Sequence, residues 1–411
     1  MALALAALLA GCAGFEGAED RSGAVPQQLE DRQIIVTLTS APAEVAEGMR
    51  GILARSYGLR DVGAFPLRSI GVQCVVFQVP DDQPIESVIA RLRRDPLVES
   101  VQANQVFGGQ GAAPPVAHSD PYAALQYGVH VIRADLAHRW ATGRGVRIAV
   151  VDTGVDTTHP DLRGRIVKTA TFVDGGERTF TADLHGTAVA GVIAADADNG
   201  IGIVGIAPET RIIAAKACWH PGRDTPAAVC SSWTLAKALD FAIGEEAQIL
   251  NLSLGGPPDA LLARLIGRAL DHGAVVVAAV ADRGAGAPGF PASLEPVIAV
   301  VASDARGAVR VPGRPGRADL LAAPGVDVLT TTPRGAYDFV SGSSLAAAHV
   351  SGIAALLLER NPRLTGAEVR QLLTETSRPL PEAGQAEPRA VRGVVDACAA
   401  VSRLVSSASC S

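Results

Sequence analysis

Three polar side chains of this chain stand where covalent chemistry could be done, each beside a run of small apolar residues. Ser344 lies in Ser341-Gly342-Ser343-Ser344-Leu345-Ala346-Ala347-Ala348-His349, a small-residue turn that opens into an apolar helix running to Leu358. Ser341 and Gly342 suit a helix start, which favours a capping hydroxyl and a permissive backbone. The helix has no charged stripe and is expected to be buried on all sides. A hydroxyl at its N-terminus would sit beside unpaired N–H groups and the positive end of the dipole, where developing negative charge is stabilised. His185 stands in Asp183-Leu184-His185-Gly186-Thr187-Ala188-Val189-Ala190-Gly191, and Asp152 follows the β-branched run Val146 to Val151. A serine hydroxyl is a weak nucleophile until a base takes its proton, and the base needs an acid to orient it. Asp152, His185 and Ser344 are of the residue types those three roles need, each in a glycine-containing turn next to an apolar element.

Such residues need a scaffold that brings distant turns together. From Asp120 onward apolar strands alternate with helical patterns. Strands are expected at Val146–Val151, Arg211–Lys216, Gln248–Leu252, Ala274–Ala281 and Val297–Ala302. Helices are expected at Thr187–Ala195, Ser232–Gly244, Asp259–Asp271, Ser344–Glu359 and Thr365–Thr376, the last opening on the capping box Thr365-Gly366-Ala367-Glu368. This alternation implies an α/β fold, a mostly parallel sheet with helices on both faces. Active groups then belong at the carboxyl ends of strands and the helix starts that follow them.

Four separated stretches, VVDTGVDTTHPDL (151–162 with its flank), HGTAVAG (185–191), ILNLSLGGP (249–257) and SGSSLAAAHVSG (341–352), occur in the acid–histidine–serine order. By these motifs the chain resembles the subtilisin-like serine protease family over residues 120 to 400. The resemblance implies that Ser344 is the nucleophile, His185 the general base and Asp152 the group that orients the imidazole. It implies that His349, one turn inside the helix, is not catalytic, and that Ser253, Leu254, Gly255 and Gly256 form the strand along which a peptide substrate pairs. The chain departs from the family pattern at Ser343 and Leu345, where Thr and Met are usual, at Ala348 for proline and at Ala188 for histidine. The departure with chemical consequence is Asp282. The resemblance aligns it with the asparagine that donates to the oxyanion. Losing such a donor costs about 2.7–4 kcal/mol in subtilisin itself, and a carboxyl can replace it only when protonated.

Ahead of that region, Gln33 to Leu38 and Val72 to Val79 read as strands. Ala43 to Tyr57 and Pro84 to Arg94 have helical spacing, and Val98 to Phe107 closes as a strand. Residues 32–107 thus read as a small α+β domain, which resembles the inhibitory propeptide of the same family and implies a zymogen. Residues 108–118, GGQGAAPPVAH, read as a linker where processing would fall, followed by a catalytic domain over 119–400 and a tail over 401–411.

The first twelve residues resemble a lipoprotein signal: MALALAALLA followed by Gly11-Cys12, with Cys12 as the acylated residue, and 13–31 as a polar tether. An exported, envelope-anchored or extracellular protein is expected. Six cysteines fit that compartment. Cys218 and Cys230 bracket a polar loop and are an expected disulfide, Cys398 and Cys410 form a second candidate pair, and Cys74 is left over. With 36 basic and 42 acidic residues, no nucleic-acid footprint is visible. The expected partners are a peptide or protein substrate and the chain's own propeptide, with the membrane reached only through the lipid. No cofactor is required by triad chemistry. Asp161 and the loop Asp198 to Ile203 resemble a family calcium site, though Ala123 stands where the family supplies a glutamine. The rival reading is a pseudoprotease that binds peptides along Ser253–Gly256 without cutting them.

Overall fold

The architecture was obtained as a computed structural model that describes residues 32–39, 43–109, 123–197, 199–221, 228–280, 289–309, 317–380, 390–405 and 410. The N-terminal unit contains β1 (Gln33–Leu38), α1 (Ala43–Tyr57), β2 (Arg60–Leu67), β3 (Val72–Gln78), α2 (Ile85–Leu92) and β4 (Val98–Ala103). Its strands form an antiparallel sheet in the order β2-β3-β1-β4. Strand periodicity gives the sheet two apolar faces. Ile34, Val36, Val75 and Phe77 pack with Leu53, Val88 and Leu92 of the two helices. Ile35, Cys74 and Val76 join a core that includes Trp233, Leu239 and Leu262 of the larger unit.

The strand β2 is an addition to the sequence expectation. RDVGAFPL lacks clean alternation, and its Gly63 and Pro66 argue against a strand. It forms as an edge strand with a bulge between Asp61 and Gly63, the position in a sheet that tolerates proline. A second difference lies at the end of the unit. The expected strand from Val98 to Phe107 breaks after Ala103, and β5 (Val106–Gly109) joins strands of the larger unit instead. Gly108 and Gly109 therefore belong to a strand and not to the linker; 110–122 lie outside the described residues, as do 1–31 with Cys12.

The larger unit begins with α3 (Tyr127–Val131) and α4 (Ala134–Ala137), then β6 (Arg147–Asp152), β7 (Ile166–Thr171), α5 (Leu184–Ala194), β8 (Arg211–Lys216), β9 (Cys218–Trp219) and β10 (Val229–Ser231). It continues with α6 (Ser232–Gly244), β11 (Ile249–Leu252), β12 (Leu254–Gly255), α7 (Ala260–Asp271), β13 (Val275–Ala279) and β14 (Ile298–Ser303). It ends with β15 (Leu320–Pro324), β16 (Val328–Thr332), β17 (Ala336–Val340), α8 (Ser343–Arg360), α9 (Gly366–Thr376), β18 (Val391–Val394) and α10 (Ala397–Ser402). An eight-stranded sheet in the order β18-β15-β14-β13-β11-β6-β8-β7 runs through its centre, and every pairing in it is parallel.

Both faces are covered over the inner strands, which is why β13 and β14 read as continuous apolar runs, whereas the edge strand β7 is partly exposed. Ile148 and Val150 of β6 pack with α5 and α8, whereas Ala149 and Val151 pack toward α6 and α7. Local signals set the helix starts. Ser231 caps α6 and Thr365 caps α9, each in a capping box, and Asp259 caps α7. Ser341 does not cap α8 as expected. Gly342 holds that position without a side-chain bond, and the Ser341 hydroxyl instead binds Asp327, accepting from its N–H at 2.8 Å. The C-terminal tail is also tied down: α10 runs across the expected boundary at 400, and Cys410 is bonded to Cys398.

Candidate active site

The parallel sheet delivers Asp152 as the last residue of β6, at its carboxyl end. His185 is the second residue of α5, so it lies inside the helix and not in the turn before it. Ser344 is the second residue of α8. All three are buried: Asp152 is 3%, His185 9% and Ser344 1% exposed.

The structure brings Asp152 and His185 into direct contact. The carboxylate Oδ1 lies 2.7 Å from His185 Nδ1 and accepts the Thr153 N–H at 2.6 Å. A carboxylate on Nδ1 selects the tautomer that leaves Nε2 free of its proton and able to act as a base. The other oxygen, Oδ2, is buried with no hydrogen-bond partner. The close approach depends on glycine. A Cβ on Gly186 would lie 2.1 Å from the Gly154 carbonyl oxygen, and Gly154 itself adopts φ +123° against the Phe180 carbonyl. The glycine after His185 therefore lets the Asp152 turn reach the first turn of α5. Two threonines hold the rest of that helix, since the Thr331 and Thr330 hydroxyls donate to the carbonyls of Thr187 and Ala188 at 2.8 and 2.6 Å.

Ser344 meets the expected substrate strand. Its Oγ donates to the Ser253 carbonyl at 3.3 Å, and Ser253 Oγ donates to the Ser344 carbonyl at 3.2 Å. Behind Ser253 runs a buried polar chain that the sequence did not announce: Ser351 Oγ donates to Asn251 Oδ1 at 2.8 Å, and Asn251 Nδ2 donates to Ser253 Oγ at 2.9 Å. The signal available was a serine on the third turn of an otherwise apolar helix. His349 is 2% exposed and its Nδ1 pairs with the Leu345 carbonyl at 2.7 Å. Burial holds its imidazole down at about 4, so it stays neutral.

Leu254 and Gly255 already have a peptide beside them. They pair antiparallel with Gly109 and Gly108 of β5, while Cys230 and Val229 of β10 pair with Phe107 and Gly108 from the other side. The end of the N-terminal unit thus lies as the middle strand between two strands of the larger unit. Gly256 exchanges backbone bonds with Phe290 at 2.8 and 3.0 Å. β10 is fastened to β9 by the Cys218–Cys230 disulfide, and Cys74 is a free, buried thiol. Asp282, the expected oxyanion group, lies outside the described residues.

Asp161 is wholly buried, and its carboxylate is surrounded by donors: Ile203 N–H at 2.8 Å, Asn199 Nδ2 at 2.6 Å and the Tyr337 hydroxyl. A cation needs oxygen lone pairs aimed at one point, and here N–H and O–H groups are aimed at the carboxylate. The described residues around Asp161 do not fit calcium. Among them no cluster of three metal-ligating side chains occurs elsewhere either. Burial raises the Asp161 carboxyl, against the pull of those donors. No helix among the described residues is long and apolar enough to cross a membrane.

Comparison with known proteins agrees with this fold. Residues 143–394 match the model of the subtilase family of peptidases. The chain is 35% identical over 325 residues to the thermophilic serine proteinase of Bacillus sp. strain AK1, covering 79% of this chain and 78% of that one. It is 36% identical over 259 residues to subtilisin Savinase of Lederbergia lenta, covering 62% and 93%. Among solved structures, fervidolysin from Fervidobacterium pennivorans superposes with a TM-score of 0.68 at 23% identity, covering 90% of this chain and 60% of that one. With its parallel sheet, its buried Asp152–His185 pair and these matches, the chain belongs to the subtilase family of serine peptidases.

Proposed function

We propose that the protein is an exported serine endopeptidase, made as a zymogen, that cleaves peptide bonds through Asp152, His185 and Ser344. The 2.7 Å contact between Asp152 and His185 carries this reading. His185 Nε2 takes the Ser344 proton as the hydroxyl attacks the scissile carbonyl, and Asp152 stabilises the imidazolium that forms. The histidine then gives that proton to the leaving amine, and water releases the acyl group by the same steps. The N-terminus of α8 supplies backbone N–H groups near the developing oxyanion. On the sequence resemblance alone, Asp282 would complete the hole in its protonated form. The substrate backbone pairs with Leu254–Gly255, in the place that β5 fills in the full chain.

The zymogen reading is supported by the same strand and by the caps that the N-terminal unit places on the larger one. Gln102 Oε1 accepts the Leu261 N–H at 2.9 Å and Asn104 Oδ1 the Trp233 N–H at 3.2 Å, at the starts of α7 and α6. In return the Asp240 carboxylate accepts the N–H groups of Arg68 and Ser69 at 3.1 and 2.7 Å. The lipid anchor at Cys12 remains part of the proposal on its sequence alone. No metal takes part in any step.

A second reading, a peptide-binding pseudoprotease, is favoured by Asp282 alone. A fluorophosphonate probe separates the two, because it reacts only with an activated serine. Labelling of mature protein at Ser344, lost in Ser344→Ala and His185→Ala, is the expected result. Mature protein that takes no label is the pseudoprotease.

A further inference from the structure

A second buried charged pair lies against the Asp152–His185 contact. Lys216 ends β8 directly opposite Asp152 in the parallel register and is 1% exposed. Its ammonium donates to the carbonyl of Thr153, the residue after Asp152, and to the carboxylate of Asp183. Asp183 holds the N-cap position of α5, two residues before His185, yet its side chain makes no cap. It turns to Lys216 instead. One cation thus fastens the turn that carries Asp152 to the start of the helix that carries His185.

Stability is a poor reason for such a pair. Desolvating two charges costs about as much as their attraction returns, and apolar side chains of similar volume usually serve as well. We propose that Lys216 and Asp183 are positioning residues that set how readily His185 takes a proton, by holding two opposite charges in fixed balance beside the Asp152–His185 pair. This rests on the reading of His185 as the general base.

The charges around the imidazole come from named elements. β6 brings Asp152, the segment before α5 brings Asp183, and β8 brings Lys216. The segment after β9 brings His220, whose Nε2 is 3.7 Å from Asp183 Oδ1. β16 faces α5 with the hydroxyls of Thr330 and Thr331, while in α8 the Ser344 hydroxyl bonds the Ser253 carbonyl and His349 is tied to Leu345. Asp161 packs at the far end of α5 and is bonded to Ile203 and Asn199. Alone, Lys216 would weaken proton uptake by His185 and Asp183 would strengthen it. Together they nearly cancel, and Asp152 is left to govern the imidazole. Burial raises the Asp183 carboxyl while Lys216 holds it back, so the balance depends on the contact.

Opposite charges predict opposite shifts, which a purely structural role does not. The measurement is the NMR titration of the His185 ring in histidine-labelled full-length protein carrying Ser344→Ala, where no cutting intervenes. Lys216→Met should raise the His185 midpoint by about one pH unit and Asp183→Asn should lower it by about one. The double variant should return it close to the parent value. With Ser344 intact, the acid limb of kcat/KM should follow the same order. Shifts of the same sign, no shift in either single variant, or a double variant that stays displaced would overturn the proposal. If Lys216→Met does not fold, Asp183→Asn and the apolar-for-ionic double variant still decide it by the lowered and the restored midpoint. Opposite shifts in a protein whose intact form neither takes the fluorophosphonate nor cuts peptides would uphold the effect of the pair and refute the proposed function instead.

Discussion

Gly108 and Gly255 are cross-strand partners, so the chain's own backbone occupies the edge along which a substrate would pair. Antiparallel bonding to Leu254–Gly255 on one side and to Val229–Ser231 on the other makes this segment compete with any peptide for the same donors and acceptors. Mature protein should therefore begin between residues 108 and 120, and Ser344→Ala should accumulate the longer form. N-terminal sequencing of both proteins checks this. The same mature start in Ser344→Ala would assign the cut to another protease.

The role proposed for Asp282 implies a narrow pH window, because an oxyanion donor at that position would have to be protonated while His185 would have to be neutral to accept the serine proton. Lower pH helps the first and hinders the second. Asp282→Asn donates at any pH, so it should raise turnover and remove the alkaline limb, leaving the acid limb of His185. The pH–rate profiles of the two proteins on one peptide substrate provide the measurement. An unchanged alkaline limb would mean that another group completes the hole.

The Cys218–Cys230 bond staples β9 to β10, the strand on the far side of β5 from Leu254. A loop of this size closed by a disulfide is worth about 3 kcal/mol in the chain-entropy model. Cys218→Ser with Cys230→Ser should lower the unfolding free energy by about that amount, measured by denaturant titration of Ser344→Ala protein. Non-reduced peptide mapping should find the two cysteines joined; free thiols at both would contradict the pairing.

His349 gives stability a pH dependence of known sign. Burial lowers its folded-state midpoint to about 4, below the usual 6.5, so the unfolded chain binds the proton more readily. Stability is then full above pH 6.5 and is lost as pH falls toward 4, by about 3 kcal/mol at one kilocalorie and a third per unit. His349→Leu should lose much less over that interval. Denaturant unfolding at pH 7 and pH 4 in the Ser344→Ala background compares them. Equal losses would place the acid sensitivity elsewhere.

The donors around Asp161 predict indifference to calcium. A chelator should leave the melting temperature of Ser344→Ala protein within about 2 °C, since no coordination is broken, whereas Tyr337→Phe removes a hydroxyl bonded to a buried carboxylate and should cost about 1–3 kcal/mol. A melting temperature that falls steeply in chelator would show that a cation displaces those donors.

The sequence by itself determined five adjacent strands of the large sheet, β14, β13, β11, β6 and β8, the helices α5 to α9 and the groups they carry, whereas β2, β7, β15 and β18 emerge only in the structure. Apolar runs such as Val275–Ala279 and the capping box at Thr365 are written within a few residues, and this strand and the helices α6, α7 and α9 formed within a residue or two of their expected places. Asp152, His185 and Ser344 were legible because each is embedded in a local motif of small residues. What only the tertiary structure decided are relations between segments far apart in the chain. Lys216 reads locally as the polar end of a strand, and only the parallel register beside Asp152 closes it against Asp183. Val106–Gly109 reads as the end of one domain and the start of a linker, and its partners are strands more than a hundred residues onward. Ser341 reads as a cap, yet the turn at Asp327 offers its hydroxyl a better-placed donor. The reason is physical: a cap or an apolar period is satisfied by neighbours in sequence, whereas a buried charge or an unpaired strand edge takes whichever partner the completed fold brings within hydrogen-bonding distance.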